Sequence, residues 1–258
     1  MIPERTRKLL SAEREALICQ TLSNGVKTIA ELSAELEVSE ATVRRDLESL
    51  EKAGMIRRVY GGAELLRQRH HEPLYEEKAT LHPREKAMIA EKAATFIQEG
   101  DTIFLDGGST ILELAKRLPN LRNLTVVTNS LMAAAELMEK DYRLILVGGE
   151  FRSLSRTLVG PLTAKILESL SISKAFLGTI GFEPERGIST TDTNEAYTKE
   201  LVMKRADKVF LLADSSKLNI SSFVFSGNIH DIDVLITDSG IAPAVLKQLK
   251  NQNIEVIF

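Results

Sequence analysis

Two hydrophobic rhythms run along this chain. In the first, apolar residues recur every three or four positions: Ile29, Leu32 and Leu36 form one set, and Val43, Leu47 and Leu50 form another. Each set lines one side of a helix. Thr28 followed three residues later by Glu31 has capping-box spacing and predicts the start of the first of these helices. Ser39 is a strong N-cap for the second, Gly54 supplies its stop, and Glu37-Val38 makes a tight connection between the two. An earlier amphipathic stretch, roughly Glu4 to Leu22, supplies a third wall. From Met55 to Ala63 the chain predicts a short hairpin with a Gly61-Gly62 end.

The second rhythm begins at about Glu85, where short β-rich runs alternate with helical stretches. The runs are Ile103–Leu105, Thr125–Val127, Arg143–Val147, Ala175–Leu177, Val209–Leu212, Val234–Ile236 and Ile254–Ile257. Between most of them lie Ile111–Leu118, Leu131–Met138, Leu162–Leu170, Glu195–Ala206 and Pro243–Lys250, which have helical spacing. That alternation predicts an α/β fold with a mostly parallel sheet. The segment from about Arg67 to Pro83 is charged and unpatterned and carries Pro73 and Pro83. The expected organisation is therefore a winged helix-turn-helix over 1–66, a linker over 67–83 and an α/β domain over 84–258.

The polar edges of these elements carry the candidate chemistry. Ser39, Glu40, Thr42 and Arg45, with Arg44 at the margin, fall away from the apolar face of the second helix, and Arg57 and Arg58 lie on the hairpin. A helix-turn-helix followed by a basic wing predicts duplex DNA as partner, with some arginines meeting phosphate and others base edges.

In a parallel sheet ligands bind beyond the carboxyl ends of the strands. There the chain places Asp106-Gly107-Gly108-Ser109-Thr110, then Thr128-Asn129-Ser130, then Ala213-Asp214-Ser215-Ser216-Lys217. Glycines permit close backbone approach, free N–H groups and the helix dipole favour an anion, and Lys217 adds a cation. These clusters predict an anionic sugar. No G-x-x-x-x-G-K-[ST] loop is present and no G-x-G-x-x-G follows a strand, so neither nucleotide hydrolysis nor a dinucleotide cofactor is expected. Gly178 and Gly181 read only as formers of a tight turn.

Composition changes this picture little. The 258 residues are 43% hydrophobic and 27% charged, with a formal net charge of −3, which argues against a generally basic, non-specific nucleic-acid binder. Residues 1–70 hold 12 Lys and Arg against 11 Asp and Glu, whereas the remainder holds 21 against 25, so the positive sites sit in front. Cys19 is the single cysteine, and His70, His71 and His82 lack ligand spacing; no disulfide, metal site or cofactor is expected. No charged-then-apolar leader opens the sequence and no apolar run approaches the roughly 18 residues a bilayer span needs, so the expectation is a cytoplasmic chain with no membrane partner.

The stretch Val38–Leu47 (VSEATVRRDL), then Leu50–Gly54 and Arg58–Ala63, resembles the DeoR family of bacterial transcription regulators. Glu72–Tyr75, Arg84–Ala90, the three strand-end clusters, Gly148-Gly149, Phe176–Gly178, Gly187–Thr190 and Asp233–Asp238 are similar to that family's passage into and through its effector domain. Lys78 stands near where the family more often has arginine, and Ser109 where it more often has threonine. The resemblance implies a C-terminal domain similar in fold to ribose-5-phosphate isomerase, a phosphorylated sugar as effector, and a repressor of a carbohydrate-metabolism operon. A dimer or tetramer would then set two recognition helices in successive major grooves.

The rival expectation is a sugar-phosphate isomerase fused to a DNA-binding domain. Isomerisation needs a carboxylate to move a proton beside a carbonyl, and Asp106, Asp192 or Glu195 are the candidates. Glu195 is also counted among the effector-binding residues, and its spacing to Lys199 reads as a surface ion pair one helical turn apart.

Overall fold

A computed structural model describes residues 11–22, 25–52, 55–65 and 72–258. The chain divides into two compact units, residues 1–69 and 70–258.

In unit 1, α1 (Ser11–Leu22), α2 (Ile29–Glu35) and α3 (Glu40–Lys52) are followed by β2 (Ile56–Val59) and β3 (Gly62–Leu65), with the short strand β1 (Lys27–Thr28) preceding α2. Thr28 closes the expected capping box: its N–H donates to Glu31 Oε2 at 2.7 Å and its hydroxyl accepts from the Glu31 N–H at 3.2 Å. The two apolar sets meet in one core of Ile18, Leu22, Ile29, Leu32, Leu36, Val43, Leu47, Leu50, Ile56 and Ala63. Each large side chain removed from water there contributes about 1.5–3 kcal/mol. The hairpin β2–β3 turns at Tyr60-Gly61, as the wing expectation required, and β1 adds a third antiparallel strand beside β3 that the sequence did not signal. Residues 4–10 of the expected first helix and the Gly54 stop lie outside the described residues.

Unit 2 contains α4 (Tyr75–Thr80), α5 (Pro83–Ala94), β4 (Thr102–Leu105), α6 (Ser109–Lys116), β5 (Thr125–Thr128), α7 (Leu131–Leu137), β6 (Arg143–Leu146), β7 (Glu150–Arg152), β8 (Thr157–Val159), α8 (Pro161–Leu167) and β9 (Ile172–Leu177). After these come β10 (Gly181–Glu183), β11 (Gly187–Thr190), α9 (Thr193–Arg205), β12 (Ala206–Leu212), β13 (Val224–Ser226), β14 (Val234–Ile236), α10 (Pro243–Asn251) and β15 (Glu255–Ile257). All seven expected β-rich runs join one sheet in the order β15-β14-β12-β9-β4-β5-β6, and every pairing is parallel. Alternate residues of its strands feed opposite faces: Phe104 packs with helices α8, α9 and α10, whereas Ile103 and Leu105 pack with α5, α6 and α7. Burial on both faces explains why these strands read as continuous apolar runs.

The segment expected as a linker behaves differently from its appearance. In its described part, 72–83, Glu72 and Tyr75 are buried, Glu72 and Lys78 form an inner pair and α4 belongs to unit 2, whereas 67–71 lie outside the described residues.

Strand order also places the ligand crevice. From β4 the chain moves outward through β5 and β6, then returns on the other side of β4 with β9 and continues to β12, β14 and β15. Loops diverge at the carboxyl ends of β4 and β9, which leaves an opening there.

Candidate nucleic-acid interface and effector cavity

On unit 1, the Ser39 hydroxyl accepts from the Thr42 N–H at 3.3 Å and lies 2.9 Å from the Thr42 hydroxyl, so both side chains fix the start of α3. Glu40, Arg44 and Arg45 are exposed on the helix, and Arg44 pairs with Glu40 at 2.7 Å. On the wing, Arg57 pairs across the hairpin with Glu64 at 2.6 Å. Arg45 and Arg58 meet no carboxylate among the described residues. Tyr60 stands fully exposed at the wing tip, a position that sequence reasoning passed over. Exposed ion pairs between mobile side chains are weak, so phosphate can compete for Arg44 and Arg57, while Arg45 and Arg58 need no release. Asp46, also missed, is buried and accepts from Arg14 Nε at 2.7 Å and Nη2 at 2.8 Å, fastening α3 to α1.

Unit 2 opens into a cleft of about 820 Å³, counting solvent at its mouth. Its floor is Asp106–Ile111 and Gly178–Ile180, beyond β4 and β9. Leu212–Asp214 and Lys217 form one side, Thr190, Glu195 and Lys199 another, and residues of the segment 72–86 the cover. The glycines of the floor are there for space and conformation: a Cβ on Gly107 would sit 2.2 Å from Thr157 Cγ2, and Gly108 has φ +122 at the N-cap of α6. Ser109 donates its hydroxyl to the Lys78 carbonyl at 3.1 Å, tying this floor to the cover.

Lys199 reaches down to the strand ends, where it pairs with Asp106 and donates to the Gly178 carbonyl at 2.9 Å. The Gly178 N–H donates back to Asp106 Oδ2 at 3.0 Å. Gly178 is thus part of the site rather than a mere turn. The expected surface pair between Glu195 and Lys199 does not form, because both side chains are buried on the inner face of α9 and point to different partners. Glu195 accepts from Thr190 Oγ1 at 2.8 Å, Thr157 Oγ1 at 3.3 Å and Arg152 Nη1 at 3.4 Å.

The cover carries more charge than its exposure implied. Glu72 accepts from Lys78 Nζ at 2.7 Å, Arg152 Nη2 at 2.6 Å and Thr191 Oγ1 at 2.5 Å. Burial opposes ionisation of Glu72, yet Arg152, Lys78 and Thr191 outweigh it and hold its pKa at about 2. Lys86 is buried and, among the described residues, donates to the Lys78 and Leu81 carbonyls, closing the turn between α4 and α5. Burial pushes its pKa down, and Lys217 and Lys78 push the same way against Asp214 and Glu113. Lys217 makes no side-chain hydrogen bond or ion pair with the described residues. Lys86 and Lys217 therefore face the cleft without a paired carboxylate, beside the free N–H groups that open α6.

The Thr128-Asn129-Ser130 cluster is not part of the cleft lining. Thr128 Oγ1 donates to the Leu105 carbonyl at 2.7 Å, Asn129 Nδ2 to the Leu158 carbonyl at 3.1 Å, and Ser130 caps α7. Its strand, β5, lies on the far side of β4 from β9, so its end is spent on anchoring β8. Lys78, Lys86, Arg152 and Lys199 were missed. For Lys86 and Lys199 a signal existed, since each falls at helical spacing among apolar residues: Lys86 with Ile89, Ala90 and Ala93, and Lys199 with Val202 and Met203.

A winged helix-turn-helix in front of an α/β unit with an anion-ready cleft defines a DNA-binding regulator with its own sensor. The description "DeoR-like helix-turn-helix domain" matches residues 14–69, and "DeoR C terminal sensor domain" matches residues 81–239. The chain belongs to the DeoR family of transcription regulators. It is 37% identical to the uncharacterized HTH-type transcriptional regulator YulB of Bacillus subtilis, over 96% of each chain. It is 35% identical to the HTH-type transcriptional regulator GlpR of Haloferax volcanii, over 96% of this chain and 98% of that one. It is also 37% identical to a lactose phosphotransferase system repressor of Streptococcus mutans, over 83% of this chain and 86% of that one. Among solved structures, ribose 5-phosphate isomerase A of Methanocaldococcus jannaschii is similar over 52% of this chain and 53% of its own, at 20% identity and a TM-score of 0.39, too low to carry an argument about chemistry.

Proposed function

We propose that this chain is a cytoplasmic repressor of a carbohydrate-metabolism operon, whose hold on duplex operator DNA is altered by a phosphorylated sugar in the unit 2 cleft. A homo-oligomer, dimer or tetramer, would set two copies of α3 in successive major grooves, with Ser39, Glu40, Thr42, Arg44 and Arg45 at the bases and Arg57 and Arg58 on phosphate. The observation that carries the effector reading is Lys217, which lines the cleft with the α6 N-terminus and has no ion-pair or hydrogen-bond partner among the described residues, with the carbonyl-held Lys86 ammonium also lining it. Such a place is costly to leave uncompensated and stabilising for a dianion. Asp106–Thr110 and Glu195 would meet the sugar. The S. mutans relative is a lactose phosphotransferase system repressor, which supports the same reading. No helix among the described residues is long and apolar enough to cross a membrane, and no group of three metal-ligating side chains occurs among them.

The protein binds its effector without converting it. Support comes from the three carboxylates that are candidates for the proton transfer of isomerisation, each of which is already engaged. Asp106 is paired with Lys199, Glu195 accepts from three donors, and Asp192 caps α9 through the Asn194 and Glu195 N–H groups, each at 2.9 Å. A thermal-shift series with sugars and their phosphates tests both points. A phosphorylated sugar should raise the melting temperature where its unphosphorylated counterpart does not, and should be recovered unchanged. Equal shifts from both, or steady turnover that Glu195→Gln abolishes, would contradict it.

A further inference from the structure

Unit 2 begins at His70, and the residues that follow cover the cleft: Glu72, Lys78 and Lys86 all line it. A ligand in the cleft thus rests against the segment by which the chain enters the sensor from the DNA-binding unit. One side chain connects that segment to the opposite wall. Arg152, at the end of β7, is only 12% exposed and spreads its three nitrogens over three carboxylates. Nη2 donates to Glu72 at 2.6 Å, Nη1 lies 3.4 Å from Glu195, and Nε lies 3.5 Å from Asp192. Thr191 Oγ1 sits between, donating to Glu72 at 2.5 Å and accepting from Arg152 at 3.1 Å.

We propose that Arg152 is the coupling residue of this regulator, transmitting occupancy of the cleft to the position of Glu72 at the entry to the sensor unit. The proposal rests on the effector reading above. Its logic is competition for shared partners. Glu195 lines the cleft and holds Arg152 at 3.4 Å against 2.6 Å for Glu72, so a sugar hydroxyl that donates to Glu195 weakens the hold of that side chain on the guanidinium. Lys78 lines the cleft and is neutralised by Glu72, so a phosphate that draws Lys78 away leaves Arg152 as the cation on Glu72. Both changes shift Arg152 in one direction, toward Glu72 at the entry to the unit and away from Glu195 in the cleft. A ligand shifts a conformational equilibrium only through contacts that differ between states, and this network provides such a difference two residues inside the unit boundary. Lysine cannot replace arginine in it, because one ammonium nitrogen cannot serve positions held by three separate guanidinium nitrogens.

The test is the ratio of operator affinity without and with a phosphosugar, for the full chain and for Arg152→Lys and Arg152→Gln. Glycerol 3-phosphate, ribose 5-phosphate and fructose 6-phosphate serve as probes, and binding of each to the protein alone is measured in parallel by calorimetry. Arg152→Lys keeps a cation among the acids and so preserves the fold even where Arg152→Gln does not. For the parent, the expected ratio with the best probe is in the usual allosteric range, roughly 5- to 150-fold. For Arg152→Lys the ratio should fall to within about twofold of unity while operator and probe affinities each stay within about threefold of the parent. A variant that keeps the parent's ratio would overturn the proposal. So would loss of probe binding, which would make Arg152 part of the binding site rather than a transmitter. A parent chain whose operator affinity no probe changes, and which binds none of them, would instead sink the effector reading before any variant is compared.

Discussion

Unit 1 keeps its arginines outside an apolar core in which Asp46 is the only buried charged side chain among the described residues, whereas unit 2 buries Glu72, Lys86, Asp106, Glu195 and Lys199 around a cleft. The two arrangements suit two kinds of anion. Exposed guanidinium groups are solvated, screened within about 10 Å at ordinary ionic strength, and available to a long run of phosphates. Buried charges are shielded from salt, cost free energy unless matched, and respond to one small partner that fits among them. The sensor stores its responsiveness in incomplete matching, as at Lys86 and Lys217, and the DNA-binding unit keeps none inside.

If unit 1 is held chiefly by apolar packing, the largest effect should come from a cavity there. Leu47 is fully buried, and Leu47→Ala should lower the stability of unit 1 by about 2–5 kcal/mol at any pH between 4 and 8. Denaturant unfolding followed alongside phosphosugar binding would show operator affinity lost while the sensor still binds. Equal loss of both functions would break the separation between the units.

Unit 2 should instead show its charges in a pH profile. The Glu72 carboxyl is held at about 2 against an ordinary 4.5, so its ionised form stabilises the fold above pH 4.5 and that contribution is lost as the pH falls toward 2. Glu72→Gln should therefore cost roughly 2–3 kcal/mol near neutrality, with the difference from the parent shrinking through that acid window. A difference independent of pH would show that Glu72 acts by shape rather than charge.

Smaller effects belong to the exposed arginines. Arg45→Ala should cost about 1–3 kcal/mol of operator binding, concentrated at one base position, because Arg45 has no acid partner to leave. Arg58→Ala should reduce the log–log salt slope of binding by about 1, uniformly across sequences. An unchanged slope would remove the wing from the interface.

How much of this was readable beforehand follows from burial. Strands covered on both faces produce apolar runs, so all seven members of the central sheet were visible, and caps at Thr28 and Ser39 marked helix starts. β7, β10 and β13 lie outside that sheet and carry Glu150, Arg152, Glu183 or Ser226 within their three residues, so no apolar run marks them. The floor of the cleft was readable because two adjacent glycines at a strand end that opens a helix mark close backbone approach beside free N–H groups. Lys86 and Lys199 were hidden by habit, since a lysine is taken for surface even when its spacing puts it on an apolar face. Arg152 and Glu72 lie 80 residues apart, and nothing local to either announces the other. The Thr128–Ser130 cluster was misplaced because adjacency in the sheet, which the sequence does not encode, decides which strand ends share a cleft.

The most direct measurement is a DNA-binding titration of Lys217→Met with and without the phosphosugar that stabilises the parent. Lys217 lines the cleft without a partner among the described residues, so its removal should leave operator affinity untouched while effector affinity falls roughly 10- to 150-fold, the equivalent of one charge-assisted hydrogen bond. The titration curve should then move to correspondingly higher effector concentration. A variant that responds at the parent's concentration, or that no longer binds DNA at all, would contradict the account.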